Sequence, residues 1–351
     1  MNEPRPEPEV RIDQLTGLRT ILAPARADRP IELKPASTPE EKPSRPCPFC
    51  EGNEEKTPPE AWADRPGGGP AGSPGWRVRA VPNLYPPVSP ADRPDPEGSA
   101  ESPPSDPLRA SARGGEPDLF TSVPAHGVAE VIVHTPKHLT SLSELDEGEL
   151  ALALDGWRTR MRAHADSSSY MQLFVNEGGG AGASLEHTHA QLYVLDFVPV
   201  AVARERERFT AYNQRTMGGD LLADIASEEV RRRDRLVAIN DEALVICPWA
   251  SHSPFELRMI PRHPAARFER DGEVGVGALA AALRALRARF GDGLELNIGV
   301  RTAPRDAELF HWHIDLFPRL AIKAGFELST GVDVNTYPPE RAAAELREAL
   351  E

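Results

Sequence analysis

Two short stretches of this chain share one form: "HTHAQLYVL" at 187–195 and "HWHIDLFPR" at 311–319, each a His-x-His that opens an apolar run. The segments around them follow the same order. "AEVIVHTP" reads as a strand, "LDEGELALALDGWRTRMRAHA" as a helix with apolar positions at helical spacing, and "YMQLFVNEG" as a strand leading to the first His-x-His. In the second half "DEALVICPWASHSPFELRMIPRHP" gives two strands and a turn, "VGVGALAAALRALRARFG" a helix and "GLELNIGVRTAP" a strand before the second His-x-His. A strand pair around "IDQLTGLRTILAP", turned at Thr16 and Gly17, supplies the opening pair of the first half. Matched order with different letters predicts an internal duplication. The expected fold class is α+β, with halves at 1–200 and 201–351 whose antiparallel strands join into one sheet or half-barrel with flanking helices.

Bulk properties exclude several classes. A formal net charge of −14 over 351 residues argues against a general nucleic-acid binder, while leaving room for a local pocket for one nucleotide. No apolar run approaches the roughly 20 residues that span a bilayer, and "MNEPRPEPEVR" has neither part of a signal peptide. The expectation is no membrane, no nucleic acid and a cytoplasmic location. Residues 86–118 carry almost no apolar side chains and read as a polar insertion.

Cysteines occur only at 47, 50 and 247. Three cannot build a disulfide framework. Cys47 and Cys50, set among prolines in "RPCPFCEGN", fit half of a zinc site, whereas Cys247 in the apolar "ALVICPWA" reads as a small buried thiol. A tetrahedral site wants two further ligands. On residue type alone, His138 reads as an ordinary turn histidine after Pro136, and His134 competes with it.

On a strand, residues i and i+2 share a face, so His187, His189 and Gln191 are expected to line one wall. Gly178, Gly179, Gly180 and Gly182 precede them, and glycines allow close backbone approach to an anion. A flexible hairpin loop would not call for Asn176 and Ser184 at its two ends.

This arrangement resembles the galactose-1-phosphate uridylyltransferase family of the histidine-triad superfamily, with its related nucleotide-sugar phosphorylases. Asn176, a glycine-bearing loop, Ser184 and His187-x-His189-x-Gln191 fall in the family's order without a gap. "LTGLRTILAPARADRP", "CPFCEGN", "VPNLYP", "HTPKHLTSLSEL", "FHWHIDLFPRL" and "AGFELSTG" also match landmarks in order, so the resemblance covers nearly the whole chain outside the insertion. It implies two histidine-triad-like halves and a homodimer.

The resemblance makes His189 the nucleophile, which would attack the α-phosphorus of a nucleotide sugar, expel a sugar 1-phosphate and hold the nucleotide as a phosphoramidate. A neutral imidazole suits that role near pH 7. Gln191 stands where histidine-triad hydrolases carry a third histidine. An amide can hydrogen-bond phosphoryl oxygens but not transfer a proton, which favours a transferase or phosphorylase over a hydrolase. The resemblance also places Arg26, Asn176 and Ser184 near phosphate, Asn83 near the nucleoside, and Phe326 and Glu327 near the sugar. It completes the zinc set as Cys47, Cys50, His138 and His187. A second metal site would need Glu205, His311, His313 and a fourth ligand, but Arg301 stands in the fourth place. Asp315 replaces the amide in the second half, so chemistry is assigned to the first half alone.

These features lead to UDP-glucose:galactose-1-phosphate uridylyl transfer as the leading expectation. Leu84 follows Asn83 where the uridylyltransferases have an aspartate, which keeps an ADP-glucose phosphorylase using inorganic phosphate as the alternative. A zinc-stabilised nucleotide-binding protein without turnover is the reading from another class. The partners expected are a nucleotide sugar and a sugar 1-phosphate or phosphate.

Overall fold

Side-chain alternation gives the principal sheet two unlike faces, and the site follows from that difference. The computed structural model describes residues 9–23, 46–90 and 125–351. Its strands are β1 (Glu9–Ile12), β2 (Arg19–Leu22), β3 (Trp62–Asp64), β4 (Val78–Pro82), β5 (Gly127–Val133), β6 (Tyr170–Glu177), β7 (His189–Leu195), β8 (Leu236–Ile239), β9 (Ala243–Ile246), β10 (Leu257–Pro261), β11 (Leu296–Arg301), β12 (His313–Pro318) and β13 (Asp333–Asn335). The helices are α1 (Glu147–His164), α2 (Val200–Thr216), α3 (Leu221–Arg232), α4 (Val276–Phe290), α5 (Gly325–Thr330) and α6 (Pro339–Glu348).

Ten strands form one antiparallel sheet in the order β3-β4-β5-β7-β6-β11-β12-β10-β9-β8. Counted outward from the β6–β11 pair, the two sides match strand for strand. Helix α1 lies in the chain between β5 and β6, and α4 occupies the same place between β10 and β11. This mixed α+β architecture is the one expected from the sequence.

The early strand pair needs correction. β1 and β2 are antiparallel, but β13 adds alongside β2 in parallel to make a separate three-stranded sheet. The first half instead opens its set with β4 and β5, which the polar segment separates in sequence; that interruption hid the pair. Residues 91–118 of the proposed insertion lie outside the described residues.

On one face of the large sheet, Ala190, Leu192 and Val194 of β7 and Leu173 and Val175 of β6 join a buried cluster with Leu154, Trp157 and Met161 of α1 and Leu279, Leu283 and Leu286 of α4. Full burial of each large aliphatic side chain there contributes roughly 1.5–3 kcal/mol. Helix α1 begins with a reciprocal cap: Asp146 accepts from Glu149 N at 2.8 Å while the Glu149 carboxylate accepts from Asp146 N. On the other face, α2 and α3 cover the second half, where Phe209, Leu221 and Leu222 pack with Leu244, Ile246 and Ile260. These two helices were not among the elements expected from the sequence. Among the described residues, no helix gives the equivalent face of the first half such a cover.

Candidate active site

β6 and β7 form a hairpin whose connection holds the glycines, and the residues facing away from α1 line a cleft of about 600 Å³. Phe174, Asn176, His189, Gln191 and Tyr193 come from this hairpin, Gly182, Ser184 and Leu185 from its loop, and Asn83, Leu84 and Tyr85 from the segment after β4. The volume suits a small organic ligand. Asn83, Asn176, Ser184, His189 and Gln191, separated widely in sequence, are thus gathered in one place.

The strand begins at His189, not at His187, so the two histidines do not share the cleft wall as strand alternation alone suggested. His189 Nδ1 lies 2.6 Å from the carbonyl of His187. A carbonyl only accepts, so Nδ1 carries the proton and Nε2 keeps its lone pair. Phe49 meets the His189 ring edge-on with centroids 5.2 Å apart. Burial lowers the His189 pKa from its ordinary value, with the carbonyl hydrogen bond opposing, so the neutral imidazole is favoured. Tyr193 Oη donates to Gln191 Oε1 at 3.2 Å, leaving the amide N–H groups of Gln191 available as donors.

The glycines divide by function in a way their clustering did not reveal. Gly180 N donates to Glu295 Oε1 at 2.7 Å, and a Cβ on Gly180 or Gly178 would stand 2.2 or 2.5 Å from the Glu295 side chain. These two glycines admit a carboxylate from the second half rather than cradle a phosphate. Gly182, at φ +91°, is the one of the four that lines the cleft. Its left-handed backbone turns the chain toward Ser184.

Behind the cleft, Cys47, Cys50, His138 and His187 each offer a ligand atom, all within 4.8 Å of one another. Cys50 Sγ is 3.3 Å from His138 Nδ1 and 3.7 Å from His187 Nδ1, and Cys47 Sγ is 3.6 Å from His187 Nδ1. Ligands at ordinary zinc distances stand about 3.5 Å apart at the corners of a tetrahedron, so this donor set fits such an ion. His187 Nε2 faces the Thr135 carbonyl at 2.9 Å, which fixes its proton there and turns the Nδ1 lone pair toward the thiols. His134 is otherwise engaged: Nδ1 meets Thr188 Oγ1 at 2.9 Å, and Nε2 accepts from Trp157 Nε1 at 3.0 Å. It does not belong to the cluster.

The second half repeats part of this geometry under cover. His311 Nε2 faces the Pro261 carbonyl at 3.0 Å, and His313 Nδ1 faces the His311 carbonyl at 3.1 Å. His311 Nδ1, however, meets Asp220, the N-cap of α3, rather than cysteines. His313 Nε2 stands 3.4 Å from Glu205 of α2, Arg301 approaches Glu205 at 3.7 Å, and Arg258 pairs with Asp315 at 2.6 Å. Charges are matched inside this buried cluster, with Arg301 supplying a cation beside Glu205.

Two expected contacts stand apart from the cleft. Phe326 and Glu327 sit on α5, whose residues do not line it; Glu327 accepts from Ala324 N at 3.0 Å and Phe326 is largely exposed. Arg26 lies outside the described residues. Lys56, by contrast, lines the cleft although nothing in "EGNEEK" marked it, because only the folded path of the cysteine segment brings it there.

Comparison with known proteins agrees with this architecture. A family model described as galactose-1-phosphate uridyl transferase, N-terminal domain, matches residues 93–199. An ADP-glucose phosphorylase from Arabidopsis thaliana is 29% identical over 97% of this chain and 93% of its own. A galactose-1-phosphate uridylyltransferase from Cryptococcus neoformans is 30% identical over 66% of this chain and 67% of its own. Among solved structures, the Arabidopsis thaliana ADP-glucose phosphorylase with bound ADP-glucose superposes with a TM-score of 0.75 at 26% identity, covering 97% of this chain and 99% of that one. On these matches of sequence and fold, the chain belongs to the galactose-1-phosphate uridylyltransferase family and is an enzyme of the nucleotidyltransferase type.

Proposed function

We propose that this enzyme transfers a nucleoside monophosphate through His189, and that its nucleotide sugar is an adenosine one. The observation that carries the first part is the free Nε2 of His189 in a cleft shared with Asn176, Ser184 and Gln191. Nε2 attacks the α-phosphorus, an N–P bond forms, and the P–O bond to the sugar 1-phosphate breaks with its electron pair on the leaving phosphate. The leaving group is already a good one, so no proton donor is needed. An oxygen of the acceptor phosphate then attacks the same phosphorus and the N–P bond returns its electrons to Nε2. Asn176, Ser184 and Gln191 supply hydrogen bonds to the phosphoryl oxygens. Zinc held by Cys47, Cys50, His138 and His187 would act structurally, fixing the residue whose carbonyl orients His189.

The adenosine reading rests on the base-side wall. Leu84 and Tyr85 are 63% and 85% exposed at the cleft, and no carboxylate lines it among the described residues. Apolar area rewards a larger base, and Leu84 offers no hydrogen-bond acceptor to a uracil or ribose. The match to ADP-glucose phosphorylase over nearly the full length of both chains supports the same reading, with inorganic phosphate as acceptor. The uridylyl reading, UDP-glucose with galactose 1-phosphate, is favoured by the 30% identity to a fungal uridylyltransferase. A homodimer belongs to the same proposal. Sugar contact by Phe326 and Glu327, which lie outside their own chain's cleft, needs a second copy to bring α5 to it.

Intact-mass measurement after incubation with ADP-glucose or UDP-glucose tests the proposal. An adenylyl mass gain, lost in His189→Ala and discharged by phosphate, is expected. A uridylyl gain discharged only by galactose 1-phosphate would overturn the adenosine reading. Absence of any covalent gain would overturn the mechanism. Leu84→Asp is expected to move the loading preference toward UDP-glucose.

A further inference from the structure

Asn176 of β6 and Asn297 of β11 are direct cross-strand partners at the seam between the halves. Asn297 Nδ2 donates to Ala181 O at 2.8 Å and to Asn176 Oδ1 at 2.9 Å. The backbone carbonyl of Ala181 can only accept, so it dictates which end of the Asn297 amide faces the loop. That end is a donor, so the atom of Asn176 that meets it must be its oxygen. The orientation of one amide therefore settles the other.

The consequence falls in the cleft. With Oδ1 of Asn176 engaged at the seam, its Nδ2 is left without a protein acceptor among the described residues, and a Cβ on Gly182 would lie 3.7 Å from it. We infer that Asn297 is a positioning residue, holding Asn176 with both N–H donors toward the phosphates of the bound nucleotide. A free asparagine turns its amide over at little cost, and the wrong face would present a carbonyl oxygen to a phosphoryl oxygen. Asn297 removes that alternative before substrate arrives, which is the pre-organisation that electrostatic stabilisation requires. Glu295, two residues earlier, pins the same loop through Gly180 N. The second half, whose own histidines are enclosed, thus fixes the geometry of the first.

This inference rests on the reading of the cleft as a nucleotide site, and equilibrium binding tests it apart from turnover. Binding of ADP and of UDP is measured by calorimetry for wild type, Asn176→Ala, Asn297→Asp and the double variant, with loading by the two nucleotide sugars followed in the same preparations. Asn297→Asp keeps the shape but offers only acceptors, so it draws the Asn176 amide nitrogen toward itself. Each single variant is expected to bind about tenfold more weakly, and the double variant no more weakly than Asn176→Ala alone, because Asn297 has nothing left to orient. Losses that multiply in the double variant, or an Asn297→Asp protein that binds like wild type, would overturn the inference. Asn297→Ser, which can donate, is the second probe where the aspartate lowers the yield of folded protein; it is expected to keep part of the affinity, and the same double-variant criterion applies. A wild type that binds but does not load overturns the transfer reading alone, and one that binds neither nucleotide overturns both.

Discussion

His189 and His313 occupy matching places: each is the first residue of its strand, and each turns Nδ1 to the carbonyl of the histidine two residues before it. Their other nitrogens meet different surroundings. His189 faces the cleft, while His313 faces Glu205 beneath α2. His189→Ala is therefore expected to lower turnover by at least about 10³-fold with the fold intact. His313→Asn is expected to leave nucleotidyl loading within a few-fold of wild type while lowering the melting temperature. Steady-state assays with intact-mass detection separate the two; equal losses of loading would contradict the assignment.

The cysteine–histidine group predicts about one zinc ion per chain. Elemental analysis of Cys50→Ser and His138→Asn proteins is expected to show most of that metal lost, with a melting temperature lowered by several degrees. His134→Asn is the control, since His134 is bonded to Thr188 and Trp157 outside the group. Metal lost from the control and retained by the other two would sink the ligand assignment.

Neighbouring glycines should respond unequally. Gly180→Ala sets a methyl against the Glu295 carboxylate and is expected to cost roughly 1–3 kcal/mol and to slow loading. Gly179→Ala meets nothing within 4 Å and has an ordinary φ, so stability is expected to change by less than about 1 kcal/mol. Denaturant melts of the two proteins make the comparison, and Glu295→Ala is expected to relieve the Gly180 variant.

Stability should fall as pH rises from near neutrality toward 9. His252 lies 2.9 Å from Asp333, and although burial opposes its charge, Asp333, Glu256 and Asp13 raise its pKa to about 9. A histidine raised from its unfolded value contributes stability that is full below about pH 6.5 and lost as pH passes through 9. Burial pushes the neighbouring Glu256 up to about 7. Its folded form holds the proton more tightly, so its contribution declines between about pH 4.5 and 7, before the His252 decline sets in. Melting curves from pH 6 to 9.5 are expected to show this decline in wild type and a flatter profile in His252→Asn; a parallel decline in both would place the cause elsewhere.

What the sequence by itself determined is the local content: the order strand, helix, strand, His-x-His strand in each half, the residues that can act as nucleophile or ligand, and the family. These follow from periodicity and residue chemistry, which act over a few positions. Only the tertiary structure decided how they are used. It turned His187 away from the cleft toward Cys47 and Cys50, gave Gly178 and Gly180 to Glu295, brought Lys56 to the cleft, and left α5 outside it. It also set Asn297 against Asn176 across 121 residues of chain. A side chain's orientation depends on partners that sheet pairing brings in from the other half, and spacing within one segment carries no record of them.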